Sequence, residues 1–174
     1  MIAFTKQLFY SLSLQVPIPY QANRKNMGQM LDENVQKQVR DFFKQLKNPV
    51  AILYFGNDAD NCEYCVPTLE MLKEIAALSE LLSLHEFDIS RNADQAKQYH
   101  VDKSPGIVLA GKEGKVFIDY GIRFAGIPSG HEFSTLIHDM TMVSRRETNL
   151  SPATVDFLRS LEKPVHLQVF VTPT

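Results

Sequence analysis

Six consecutive apolar residues, Val50-Ala51-Ile52-Leu53-Tyr54-Phe55, stand between Asn48-Pro49 and Gly56. A run of that length with no polar alternation reads as a strand covered on both faces, which demands helices on either side of a sheet. The flanking patterns supply them. Leu31, Val35, Val39, Phe42, Phe43 and Leu46 recur at helical spacing until Asn48-Pro49 stops them. Beyond the run, Leu69, Leu72, Ile75, Ala76 and Leu78 to Leu82 predict a second helix, Leu84 to Ile89 a second strand and Ala93 to Tyr99 a short helix. Ile107-Val108-Leu109 and Val116-Phe117-Ile118 read as an antiparallel hairpin turned by Gly111-Lys112-Glu113-Gly114. Gly121 to Phe124 extends or bends its second arm, and Phe133, Leu136, Ile137, Met140 and Val143 mark a last helix. The expected order is αβαβαββα, an α/β fold with a central mixed sheet flanked by helices.

The stretch that contains the run occurs twice. Asp41 to Phe55 aligns without gaps on Asp156 to Phe170 at a constant offset of 115, with six identical positions. Two amphipathic helices can resemble each other by chance, but helical periodicity does not demand the shared Asp-Phe or the Pro-Val placement. The repeat implies that a second copy of the fold begins near Ser151 and reaches only its first helix and strand. The expected organisation is 1–26 as a flexible extension or a misassigned start, with Met27 as the alternative start, 27–146 as the main domain, and 147–174 as the truncated second unit. Lys6, Arg24 and Lys25 with an apolar stretch also suggest a signal peptide, a reading weakened by Ser11, Ser13 and Gln15.

Composition excludes several classes. With 44% hydrophobic and 22% charged residues, the 174-residue chain can bury a sizeable core. A net charge of −2 leaves no basic footprint for nucleic acid, and no run reaches the roughly 18 apolar residues of a membrane-spanning helix. Two cysteines are too few for a disulfide scaffold, so their placement carries the information.

Cys62-Glu63-Tyr64-Cys65 lies between the apolar strand and a helix. Two thiols so spaced can close a small disulfide, and the helix N-terminus favours thiolate over thiol. Cys62, facing solvent, is expected to attack a substrate disulfide; Cys65, pointing back under the turn, resolves the mixed disulfide. Asp58, Asp60 and Glu63 oppose the helix terminus, so a modest reductant with a nucleophile ionising near neutrality is expected. A zinc site would need more ligands from His85, His100, His131, His138 or His166, none of which is spaced as a pair. Two inert core cysteines are the other alternative. Lys103-Ser104-Pro105-Gly106 opens a strand after a short helix; Ser104-Pro105 is a candidate cis bond or an ordinary turn proline. In the cis form, Ser104 would present its backbone to a peptide substrate beside Cys62.

This order of elements around a Cys-x-x-Cys resembles the thioredoxin fold. Asn48-Pro49-Val50, Cys62-Glu63-Tyr64-Cys65, Gly126 to Phe133 and Val143 to Leu150 are similar to the N-terminal unit of the glutaredoxin-like protein disulfide oxidoreductases, cytosolic proteins that join two thioredoxin-fold units in one chain. The resemblance implies a dithiol–disulfide oxidoreductase whose only redox group is the Cys62–Cys65 disulfide, with no other cofactor and no metal. It further implies Pro105 as the cis-proline, and Glu63, Tyr64 and Ser104 beside it at the substrate. The implied partners are protein disulfide substrates, a thioredoxin reductase and the missing second unit, in the cytoplasm and without nucleic acid or membrane. Two departures stand out. Pro67 falls in the first turns of the active-site helix and is expected to disturb its start, and Ala51 to Phe55 carries no buried acid of the kind thioredoxins use to move a proton. Two other readings are a non-catalytic docking unit and the N-terminal region of a peroxiredoxin reductase. In the latter the first unit typically lacks its cysteines.

Overall fold

The computed structural model describes residues 30–57 and 62–170; the expectations for 1–26, Asp58 and Asp60 lie outside them. The elements are α1 (Glu33–Phe43), β1 (Val50–Gly56), α2 (Cys65–Ala76), β2 (Leu82–Asp88), α3 (Ala93–Gln98), β3 (Gly106–Glu113), β4 (Val116–Ala125), α4 (His131–Arg145) and α5 (Pro152–Arg159). The sheet order is β2-β1-β3-β4, with β1 parallel to β2 and antiparallel to β3, and β3 antiparallel to β4.

β1 is central because every one of its side chains can be buried. Val50, Ile52 and Tyr54 face a core shared with α1, α2 and α4, whereas Ala51, Leu53 and Phe55 face Ala96 of α3 and Tyr99 just after it. Each aliphatic side chain fully withdrawn from water on this strand contributes about 1.5–3 kcal/mol. The approach to β1 is pinned by α4: Ser144 Oγ donates to Asn48 O at 2.6 Å and accepts from Lys47 N and Asn48 N at 2.9 and 3.0 Å. Asp32 caps α1 by accepting from Val35 N, and Glu74 of α2 accepts from the Leu31 amide at 2.8 Å.

Two boundaries differ from the sequence reading. α2 ends at Ala76 rather than near Leu82, because the chain reverses through 77–81 and Leu82 pairs with Val50 as the first residue of β2. The hairpin turn is Gly114-Lys115; Gly111 and Lys112 remain in β3, opposite Ile118 and Phe117. Gly114 takes a φ of +59°, which spares the turn the penalty a side chain would incur. β4 continues to Ala125 past a bulge opposite Leu109 and Ala110.

Beyond α4 the chain changes character. Ser151 caps α5 by accepting from Thr154 N, with Pro152 opening the helix, yet α5 buries no residue. Segment 160–170 is exposed throughout, and 164–170 forms no strand.

Candidate functional site

The end of β1, the start of α2 and the loop before β3 converge on two sulfur atoms. Cys62 lies three residues before α2, and Cys65 is its first residue. Cys65 N donates to Cys62 O at 3.1 Å, closing the turn that brings the sulfurs together. They form a disulfide of 2.02 Å with a Cα separation of 5.3 Å. Cys62 is half-buried, whereas Cys65 is 6% exposed. The two cysteines therefore differ in exposure.

Pro67 does not disturb the helix. Because α2 begins at Cys65, the proline occupies the first turn, where its missing N–H has no intrahelical acceptor to lose. Thr68 N then donates to Tyr64 O at 3.0 Å and the helix proceeds unbroken. Thr68 Oγ1 is buried without a hydrogen-bond partner.

Tyr54 fixes this end of the helix. Its hydroxyl donates to Cys65 O at 2.8 Å from an otherwise apolar strand. A Cβ on Gly56 would lie 2.7 Å from Tyr54 Oη, so the glycine leaves room for that ring. Sequence reasoning passed over Tyr54, although a lone hydroxyl in an apolar run must find a partner when buried.

From the opposite side comes the loop 101–105. A Cβ on Gly106 would lie 2.6 Å from Val101 Cγ1 and 2.8 Å from Lys103 O, so only glycine lets this loop fold tightly onto the start of β3. The Ser104–Pro105 bond is cis, Pro105 is buried, and its carbonyl accepts from Gly126 N at 2.9 Å. Ser104 Oγ stands 3.3 Å from Cys65 Sγ, 4.0 Å from Cys62 Sγ and 3.4 Å from Phe55 O. The sequence reading assigned Ser104 through its backbone alone; the hydroxyl contact was not foreseen.

Glu63 and Tyr64 are exposed on the turn between the cysteines. A groove of about 1010 Å³ runs from the sulfurs along the side of α2 that faces β2, floored by Tyr54, Leu69 and Phe87 and edged by Glu63, Val66 and Arg91. His85 and His138 pack elsewhere in the fold. His85 contacts Ser83 and the ring of Phe117, and burial followed by the Lys112 charge holds it below the usual imidazole range. His138 packs edge-on against Phe42 and is lowered by burial. Among the described residues, no three His, Cys, Asp or Glu side chains group as a metal site.

No family model matches the chain. The AhpF component of the alkyl hydroperoxide reductase from Staphylococcus epidermidis is 28% identical over 146 residues, covering 83% of this chain and 25% of that protein. The chain thus spans about a quarter of the length of the curated relatives it matches. Among solved structures, the N-terminal domain of alkylhydroperoxide reductase AhpF from Enterococcus faecalis superposes with a TM-score of 0.66 at 26% identity, covering 76% of this chain and 62% of that one. A protein disulfide oxidoreductase from Aeropyrum pernix gives a TM-score of 0.65 at 26% identity, covering 77% and 57%.

Proposed function

From the premise that this chain is a thioredoxin-like unit similar to those of tandem-unit disulfide oxidoreductases, we propose that it exchanges disulfides with protein substrates through Cys62 and Cys65. The observation that carries this reading is the asymmetric sulfur pair, one half-buried and one buried, at the mouth of a groove. The Cys62 thiolate attacks one sulfur of a substrate disulfide, and the other leaves as a thiolate that takes a proton from water. The Cys65 thiolate then attacks Cys62 Sγ and releases the second substrate sulfur. The substrate gains two electrons and two protons, and the cysteine pair becomes a disulfide. Run backwards, the same steps oxidise a dithiol.

Glu63 and Tyr64 on the rim, with the Ser104 backbone and Pro105 opposite, flank an incoming peptide. The disulfide is the redox group, and a dithiol donor such as a thioredoxin reductase recharges it in a cytoplasmic setting. Among the described residues no helix is long and apolar enough to cross a membrane. Residues 147–174 read as the start of a second unit, supported by the 115-residue offset.

Insulin reduction by dithiothreitol tests the reading. The chain is expected to accelerate it, and Cys62→Ser is expected to fall to the uncatalysed rate; equal activity in both would end it. A second reading draws on the alignment with the AhpF component of alkyl hydroperoxide reductase: the unit passes electrons within a larger reductase to a peroxide-reducing partner. Faster transfer from the reduced chain to an oxidised peroxiredoxin than to insulin would favour it.

A further inference from the structure

Resolution of the mixed disulfide requires a thiolate on Cys65, a buried residue, and a buried anion is costly unless a donor meets it. No acid on β1 can serve: Val50 to Gly56 contains none, and the Tyr54 hydroxyl is spent on the Cys65 carbonyl rather than its sulfur. The hydroxyl of Ser104 does reach that sulfur, at 3.3 Å, with Phe55 O at 3.4 Å as a competing acceptor. A hydroxyl has one proton and serves one acceptor at a time. A carbonyl outbids the weakly accepting sulfur of a disulfide, whereas a thiolate, through a charge-assisted bond, outbids the carbonyl.

We propose that Ser104 Oγ is a catalytic hydrogen-bond donor to Cys65, bonded to the Phe55 carbonyl while the disulfide is closed and turned to the Cys65 sulfur once it opens. The inference rests on the exchange reaction proposed above. In the resolving step the Cys65 thiolate forms its bond to Cys62 Sγ. The bond from Cys62 to the substrate sulfur breaks, and the electron pair leaves with that sulfur. Ser104 keeps its proton throughout; the proton first lost by Cys65 goes to water in the groove. Among the described residues, the charged groups in the groove wall are Glu63, Glu86, Asp88 and Arg91, with Lys103 next to Ser104 in the chain. They are common to all the variants below, so a difference among those variants reports the hydroxyl.

Two readouts test the role. In a Cys62→Ser background the chain has one thiol, and thiolate absorbance near 240 nm follows Cys65 alone. Adding Ser104→Ala is expected to raise its ionisation midpoint by about one pH unit, the size of one charge-assisted hydrogen bond. In the chain with both cysteines, a glutathione mixed disulfide on Cys62 is expected to resolve about tenfold more slowly with Ser104→Ala. The isosteric pair Ser104→Thr and Ser104→Val separates hydroxyl from shape: Thr stays within about threefold of the unchanged chain and Val behaves like Ala. That pair decides the matter if Ser104→Ala does not fold. Thr68→Val, which removes a buried hydroxyl that bonds to nothing, leaves both readouts in place. An unmoved midpoint in Ser104→Ala, equal behaviour of Thr and Val, or an equal effect of Thr68→Val would each overturn the proposal. The ionisation midpoint needs no substrate, so it decides the role of Ser104 even where insulin reduction fails and the exchange reading fails with it.

Discussion

Asp41 to Phe55 and Asp156 to Phe170 carry the same pattern of helix, proline stop and apolar run, and they meet opposite fates. The first copy becomes the end of α1 and the whole apolar run of β1, with Phe43, Leu46, Val50 and Ile52 sealed in the core. The second forms α5 with its own cap, but Phe157 is 64% exposed, Phe170 is 86% exposed, and the apolar run has no ladder. The difference separates what is local from what is not. A helix satisfies its own backbone and needs only capping and length, whereas a strand's N–H and C=O groups must be met by another strand. β1 has β2 and β3 beside it, and 164–170 has neither. The copies also differ in sequence where the second face of the sheet is built: His166 and Gln168 stand where Ala51 and Leu53 are buried against α3 and Tyr99.

That contrast can be broken most forcefully by cutting matched side chains. Phe43→Ala should lower the stability of the folded body by about 3–5 kcal/mol in urea unfolding, whereas Leu158→Ala, its partner at the same offset, should change it by less than about 0.5 kcal/mol. A comparable loss in both would mean that the arm docks on the body in solution. Next in size is the pin between α4 and the chain entering β1. Ser144→Ala leaves the Lys47 and Asn48 amides without the oxygen they share and should cost about 1–3 kcal/mol. A neutral result would show that α4 does not hold this turn.

The caps give a subtler comparison. Removing the Asp32 cap of α1 with Asp32→Ala should cost about 1 kcal/mol of global stability, whereas Ser151→Ala should lower only the helicity of the arm, with the urea midpoint unmoved. The smallest effect concerns pH. His138, packed on Phe42 of α1, is held by burial below its ordinary value of 6.5, so the unfolded chain takes up a proton first as pH falls. Its contribution is therefore complete above about pH 6.5 and is lost on acidification below it. Urea midpoints at pH 7.5 and 5.5 should converge in His138→Gln relative to the unchanged chain, and an identical pH dependence in both would dismiss the packing as the cause.

Where burial alone decides, the sequence was legible: β1 was visible as an uninterrupted apolar run, α1 and α4 as helical stripes, and the sulfur pair as a spacing between them. What escaped it depended on contacts across the fold. Leu82 has the pattern of a helical residue, and only its pairing with Val50 makes it the start of β2. Gly111 looked like a turn residue and lies in β3 opposite Ile118. Tyr54 and the Ser104 hydroxyl became visible at the site only once β1 and the loop before β3 met over Cys65. Pro67 read as a disturbance until the helix was seen to begin two residues before it.

The central claim is a division of labour between two sulfurs, and trapping tests it most directly. With Cys65→Ser, incubation with a disulfide-containing protein should accumulate a stable mixed disulfide on Cys62, located by mass spectrometry of the digested adduct. With Cys62→Ser the adduct should be absent or far weaker. An equal yield from the two variants, or adducts on neither, would contradict the account.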